Sequence, residues 1–234
     1  MTLLTIINNA QDQLGLPRSA SVMASTDQTT RTLRALSNVE GQSLQQRANW
    51  QNLNLETVHT ALAQIDQGPL STVMPGYKFM LGNTIWDRTL NIPIYGPLEP
   101  PQWQALVSMV VTGPYVGYRI WGDHLWMYPA PTAGDEIAME YASKNWCQSS
   151  GGTPQSAWAA DSDTGKLDEN LMTLGLVWRF QQSKGFAYAD NKDMYETQVL
   201  QAIAREASRS TLNIGEYDGY WPTAIAPQGN WPVT

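Results

Sequence analysis

The chain has 234 residues, 42% of them apolar and only 15% charged, with a formal net charge of −7. That balance excludes a disordered acidic tail and argues against a protein that coats DNA, which would be basic. One cysteine, Cys147, excludes an intrachain disulfide and a cysteine-cluster metal site. With no long apolar run and no basic leader, the composition predicts a soluble protein made in the cytoplasm, without membrane contact.

Leu3, Leu4, Ile6, Ile7, Ala10 and Leu14 fall on one helical stripe, and Gly15 and Pro17 follow as a stop signal. A second helix is expected from Ser25, where Ser25 and Gln28 match a capping box, through Leu33, Leu36 and Leu44 toward Trp50. From Leu53 to Ser143 the chain becomes short runs punctuated by Gly and Pro. Pro101 to Val111, with Trp103, Leu106, Val107 and Val110, is the one helical stretch expected there. Gly117 to Trp121 and His124 to Tyr128 flank Gly122-Asp123, a tight-hairpin signature. Glu136 to Ala142 alternates, which predicts a strand with one wet face.

Residues 147–166 are polar and Gly/Ser-rich and read as a loop. Asp168 is a good N-cap for a helix carrying Leu171, Leu174, Trp178 and Phe180. Asp190 is expected to open another with Tyr195, Val199, Ile203 and Ala207 on one face. The pattern predicts an α+β chain: N-terminal helices (1–52) and a C-terminal helical hairpin (167–212) forming one helical bundle, a small β domain (53–166) inserted between them, and an extended C-terminal arm (213–234).

Ten tryptophans and ten tyrosines stand beside three phenylalanines. Amphipathic aromatics are enriched where a partner covers a surface, although a β-rich core also absorbs them. The arm holds Tyr217, Tyr220, Trp221, Pro222, Trp231 and Pro232, and such aromatic density is foreign to a disordered tail. These six are the candidate partner-docking residues; packing of the arm on its own domain is the alternative.

Signatures of catalysis are missing from the sequence. There is no phosphate-cradling Gly loop and no nucleophile elbow. His59 and His124 are far apart, and Cys147 has no histidine near it in sequence. Asp161 to Met172 fails the calcium-loop pattern, because glycine falls at its fifth position and methionine at its twelfth. Asp161 and Asp163 then read as turn formers, with Asp168 and Glu169 as helix-start charges. Asp135, Glu136 and Glu140 could serve a glycosidase, but Glu136 and Glu140 on a strand's wet face have a plainer explanation. No enzyme activity, metal or cofactor is expected.

Several segments, taken in order, resemble the head-to-tail adaptors (connectors, or tail tubular proteins) of short-tailed bacteriophages. They are Leu44-Gln-Gln-Arg47-Ala-Asn-Trp50, Ile85-Trp86-Asp87-Arg88, Tyr118-Arg119-Ile120 with Tyr128-Pro129-Ala-Pro131, and Tyr141-Ala-Ser143-Lys144-Asn-Trp146. Trp158-Ala-Ala-Asp161-Ser-Asp163 and Leu174-Gly175-Leu176-Val-Trp178-Arg179-Phe180 complete the set, so that the likeness spans roughly residues 3–212. The resemblance implies a structural virion protein of the neck, forming a ring of about twelve copies. Its helical region would contact the portal and its β domain the tail nozzle or tail tube protein. Double-stranded DNA would pass through the lumen during ejection without specific binding, which suits an acidic chain. A carbohydrate-binding or glycan-hydrolysing tail protein is the competing reading.

Overall fold

The computed structural model describes residues 1–108 and 116–206. In chain order the elements are α1 (Leu3–Gln13), α2 (Gln28–Arg47), β1 (Asn54–Thr60), β2 (Asp66–Pro69), α3 (Leu70–Val73), β3 (Tyr77–Met80), β4 (Trp86–Asp87) and β5 (Ile92–Pro93). Then come α4 (Pro100–Ser108), β6 (Gly117–Trp121), β7 (His124–Tyr128), β8 (Glu136–Ser143), β9 (Cys147–Gln148), β10 (Pro154–Gln155), β11 (Thr164–Gly165), α5 (Glu169–Lys184) and α6 (Ala189–Glu206). The fold is α+β.

Helix α5 packs against α1, α2 and α6. Its residues Leu171 to Trp178 are all buried, as expected of a helix that is apolar on every side. Asp168 accepts from the Leu171 amide at 3.0 Å and caps it, and left-handed Gly185 ends it. Helix α2 starts differently from expectation. Asp27, rather than Ser25, caps it by accepting from the Thr30 amide at 2.8 Å. Ser25 instead spends its hydroxyl on the Asp27 amide. Asp190 lies in the first turn of α6, one residue inside its start, and Tyr195 and Val199 are its buried anchors while Ile203 is partly buried. Ala207 lies outside the described residues.

The segment expected to be a loop over 147–166 forms a three-stranded sheet, β10-β9-β11, between turns. Trp146, Cys147 and Trp158 pack into the helical core, with the two indoles edge to face at 4.9 Å. Backbone carbonyls of Asp163 and Asp161 accept the Leu3 and Leu4 amides, two of the donors that the start of α1 leaves without intrahelical partners. Asp163 also behaves as a turn former, accepting from the Ala159 and Ala160 amides. Asp161 does something else: its carboxylate receives the Ser21 hydroxyl and the Val22 and Met23 amides. It thereby ties the α1–α2 connection to a point about 140 residues on.

A second apolar cluster belongs to the strands and gathers Leu70, Met74, Ile85, Tyr118, Leu125, Met127, Ile137 and Met139. Strand β8 is flanked by β1 over Glu136 to Ala142 on one side and by β3 and β4 on the other. The expected wet face of β8 is therefore confined to Glu136 and Glu140. Ala138 and Ala142 alternate with them yet are buried, because Val58 and Trp86 flank the first and Asn54 and Phe79 the second. Helix α4 covers Pro100–Ser108 of the stretch expected to be helical, and the rest of that expectation, through Val110 and Val111, lies outside the described residues.

Between α2, α5 and α6 sits Glu40, fully buried. Arg179 Nε donates to its Oε2, and Tyr195 Oη donates to its Oε1 at 2.5 Å. The carboxylate fits because the facing residue is Gly175, where a Cβ would overlap the Glu40 carboxyl carbon. Gly41 likewise admits the Trp146 ring, which would lie 2.5 Å from a Cβ there.

Gly175→Ala should therefore displace Glu40 from its partners and cost about 3 kcal/mol or more, the penalty for breaking a buried ion pair. A urea melt would read it as a lower midpoint at unchanged slope. Asp161→Ala should cost about 1 kcal/mol, the low end for lost hydrogen bonds, because this carboxylate still touches solvent. Burial pushes the Asp161 carboxyl up, but the bonds from Ser21, Met23 and Val22 outweigh it and hold its pKa below the ordinary 3.8. A depressed carboxyl pKa stabilises the fold above the unfolded value, and that contribution is lost as pH falls through the folded one. Wild type and Asp161→Ala should accordingly converge in stability in strong acid.

Candidate interaction surfaces

The β2-β7-β6 sheet has two unlike faces. Tyr118, Ile120, Leu125 and Met127 turn into the strand core. Alternation then sends Arg119, Trp121, His124, Trp126 and Tyr128 to the other side. Register pairs Trp121 with His124, Arg119 with Trp126 and Gly117 with Tyr128. The hairpin that sets this register turns at Gly122 and Asp123, both at φ +60°, the left-handed geometry of a two-residue loop.

The outer face is a row of aromatics. Trp121 and Trp126 lie 5.5 Å apart, and the Trp126 indole N–H donates to the Trp121 carbonyl at 3.1 Å. The Arg119 guanidinium stands 5.7 Å from the Trp121 ring centre. Asp66 accepts from His124 Nδ1 at 2.9 Å, and this bond above all holds its carboxyl below the usual range. One end of the row is covered. Trp103 of α4 meets Tyr128 edge-on at 6.5 Å, and Leu98 and Leu106 press on Gly117, where a Cβ would stand 2.7 and 2.9 Å from them. The hairpin end stays open: Trp121 is 58% exposed.

A second face lies on the sheet around β8. Glu56 and Glu140 stand directly opposite on adjacent strands, and Arg88 pairs with Glu56, which relieves their repulsion. With Trp86, Thr84 and Asn91 they line a groove of about 290 Å³. A hollow of about 520 Å³ lies between Trp50, Lys166 and the end of α6. Further exposed apolar groups are Phe186 in the α5–α6 connection and Leu200 on α6.

The sequence-derived candidates are scattered. Tyr217, Tyr220, Trp221, Pro222, Trp231 and Pro232 all lie outside the described residues. Asp135 is buried and accepts from the Thr132 amide, so it serves a turn. Burial pushes the Cys147 thiol up to about 12, with the Asp163 charge adding to it, so the thiol stays protonated at neutral pH and donates to the Gln155 carbonyl. Burial lowers the His59 pKa. Among the described residues, no three His, Cys, Asp or Glu side chains group as metal ligands. No described helix is long and apolar enough to cross a membrane.

Sequence reasoning found the hairpin and missed its aromatic face. The signal was there in His124-Leu-Trp126-Met-Tyr128, whose alternate positions are aromatic or amphipathic. No protein-family model matches this chain, and no curated protein matches it either.

Proposed function

We propose that the chain is a structural adaptor in the neck of a short-tailed bacteriophage, a head-to-tail connector that makes and breaks no bond. In this reading the N- and C-terminal helices make one bundle, the strands an inserted β domain, and residues 213–234 a docking arm. About twelve copies close into a ring between the portal and the tail nozzle or tube, leaving a channel for DNA during ejection. The protein resides in the virion after synthesis in the host cytoplasm.

The observation that carries this reading is the pairing of two separate apolar cores with an open aromatic row on the strand side. An adaptor needs two different ends, and exposed tryptophan beside arginine is the composition of a covered interface. The acidic charge supports passage of DNA without sticking. The portal acts as the template for closure. Purified chain alone should elute as small species and should form a ring-sized complex only with the cognate portal protein. A stable ring without portal refutes the template, and no association with portal refutes the adaptor.

The groove beside Trp86, with Glu56, Glu140 and Arg88, favours a glycan-binding tail protein as the second reading. In that case soluble host glycans should quench tryptophan fluorescence in the free chain, and Trp86→Ala should abolish the response.

A further inference from the structure

The open end of the aromatic row offers two adjoining indoles and a cation. Among the described residues, Arg119 forms no ion pair. Rows of this kind accept proline-containing extended segments, whose rings pack flat on indole and whose conformation is already restricted. The required partner would carry a proline, a large aromatic and an acidic group within a few residues of one another.

This chain contains such a segment. Glu216-Tyr-Asp218-Gly-Tyr220-Trp221-Pro222 joins two carboxylates to a Trp-Pro step, and a residue before proline is itself biased toward extended backbone. The second step, Trp231-Pro232, sits in a stretch (223–234) without a charged side chain, so it offers Arg119 nothing. The tether suffices. Trp221 stands fifteen positions beyond Glu206, the last described residue of α6, and a fully extended chain of that length spans up to about 50 Å. A body of some 200 residues has a radius of gyration of only about 17 Å. A segment tethered at this length meets its own surface at an effective concentration near millimolar, far above any concentration of a second copy in dilute solution.

We infer that in the free chain the segment Glu216–Pro222 docks on the outer face of the β2-β7-β6 sheet of its own chain. Trp221 and Pro222 lie against Trp121 and Trp126, and Glu216 or Asp218 pairs with Arg119. The row is then shielded from unspecific contacts until an assembly partner displaces the segment. Because the inference concerns the free chain, it stands or falls apart from the adaptor reading.

Hydrogen–deuterium exchange on the full-length chain, without portal, tests it. Amides of residues 216–221 should be protected in wild type. The protection should be lost in Trp121→Ser and in Trp221→Ser, reduced in Arg119→Glu, and kept in Trp231→Ser. Trp121 lies outside both cores, and an unchanged near-ultraviolet circular dichroism melt would verify that its variant folds. Unprotected amides in wild type, or protection that survives Trp121→Ser, would overturn the docking. Protection that fades on dilution would overturn the own-chain assignment in favour of a second copy.

Discussion

The fold turns on the burial of one carboxylate. Removing Glu40 from water costs several kcal/mol unless its charge is met and both oxygens are bonded, and here Arg179 takes one oxygen while Tyr195 takes the other. Burial first, and then the Glu40 charge itself, raise the Tyr195 phenol, so it remains a donor at any physiological pH. The three side chains come from α2, α5 and α6, so those helices share a single allowed register. Two glycines make that register possible, Gly175 by admitting the carboxylate and Gly41 by admitting Trp146. At the surface, Arg47 and Glu196 repeat the α2–α6 link with a two-pronged ion pair.

The tryptophans divide by environment. Trp50, Trp146, Trp158 and Trp178 are buried in the helical core, where their area supplies much of its apolar contact. Trp121 and Trp86 stand exposed on two different sheet faces. An indole left in water on a β ladder contributes little to the stability of its own chain. Among the described residues, tryptophan thus serves both the buried helical core and the open faces of the sheets.

Much of the architecture could be read from residue spacing. The apolar stripes of α1, α5 and α6, the Asp168 cap and the Gly122-Asp123 hairpin are all local signals, and local signals sit in the sequence. What spacing does not carry is of another kind. Ser25 and Asp27 both suit an N-cap, and only the bond to Thr30 decides between them. The wet face of β8 is narrower than its alternation suggests, because the covers of Ala138 and Ala142 come from β1, β3 and β4, distant in the chain. Residues 147–166 lack periodicity, since β9, β10 and β11 are two residues each and are held by packing under the helices. Of the candidate surface, the alternation in β7 was visible, whereas the open end depends on where α4 lies, which spacing does not encode.

The clamp at the start of α1 bears on how the polypeptide matures on the ribosome. The Leu3 and Leu4 amides find their acceptors in carbonyls some 160 residues downstream. Helix α1 therefore cannot complete the bonding of its start until the segment between β10 and β11 has been synthesised and has packed against it. Until then it presents Leu3, Ile6 and Ile7 uncovered, an apolar stripe open to unspecific contacts.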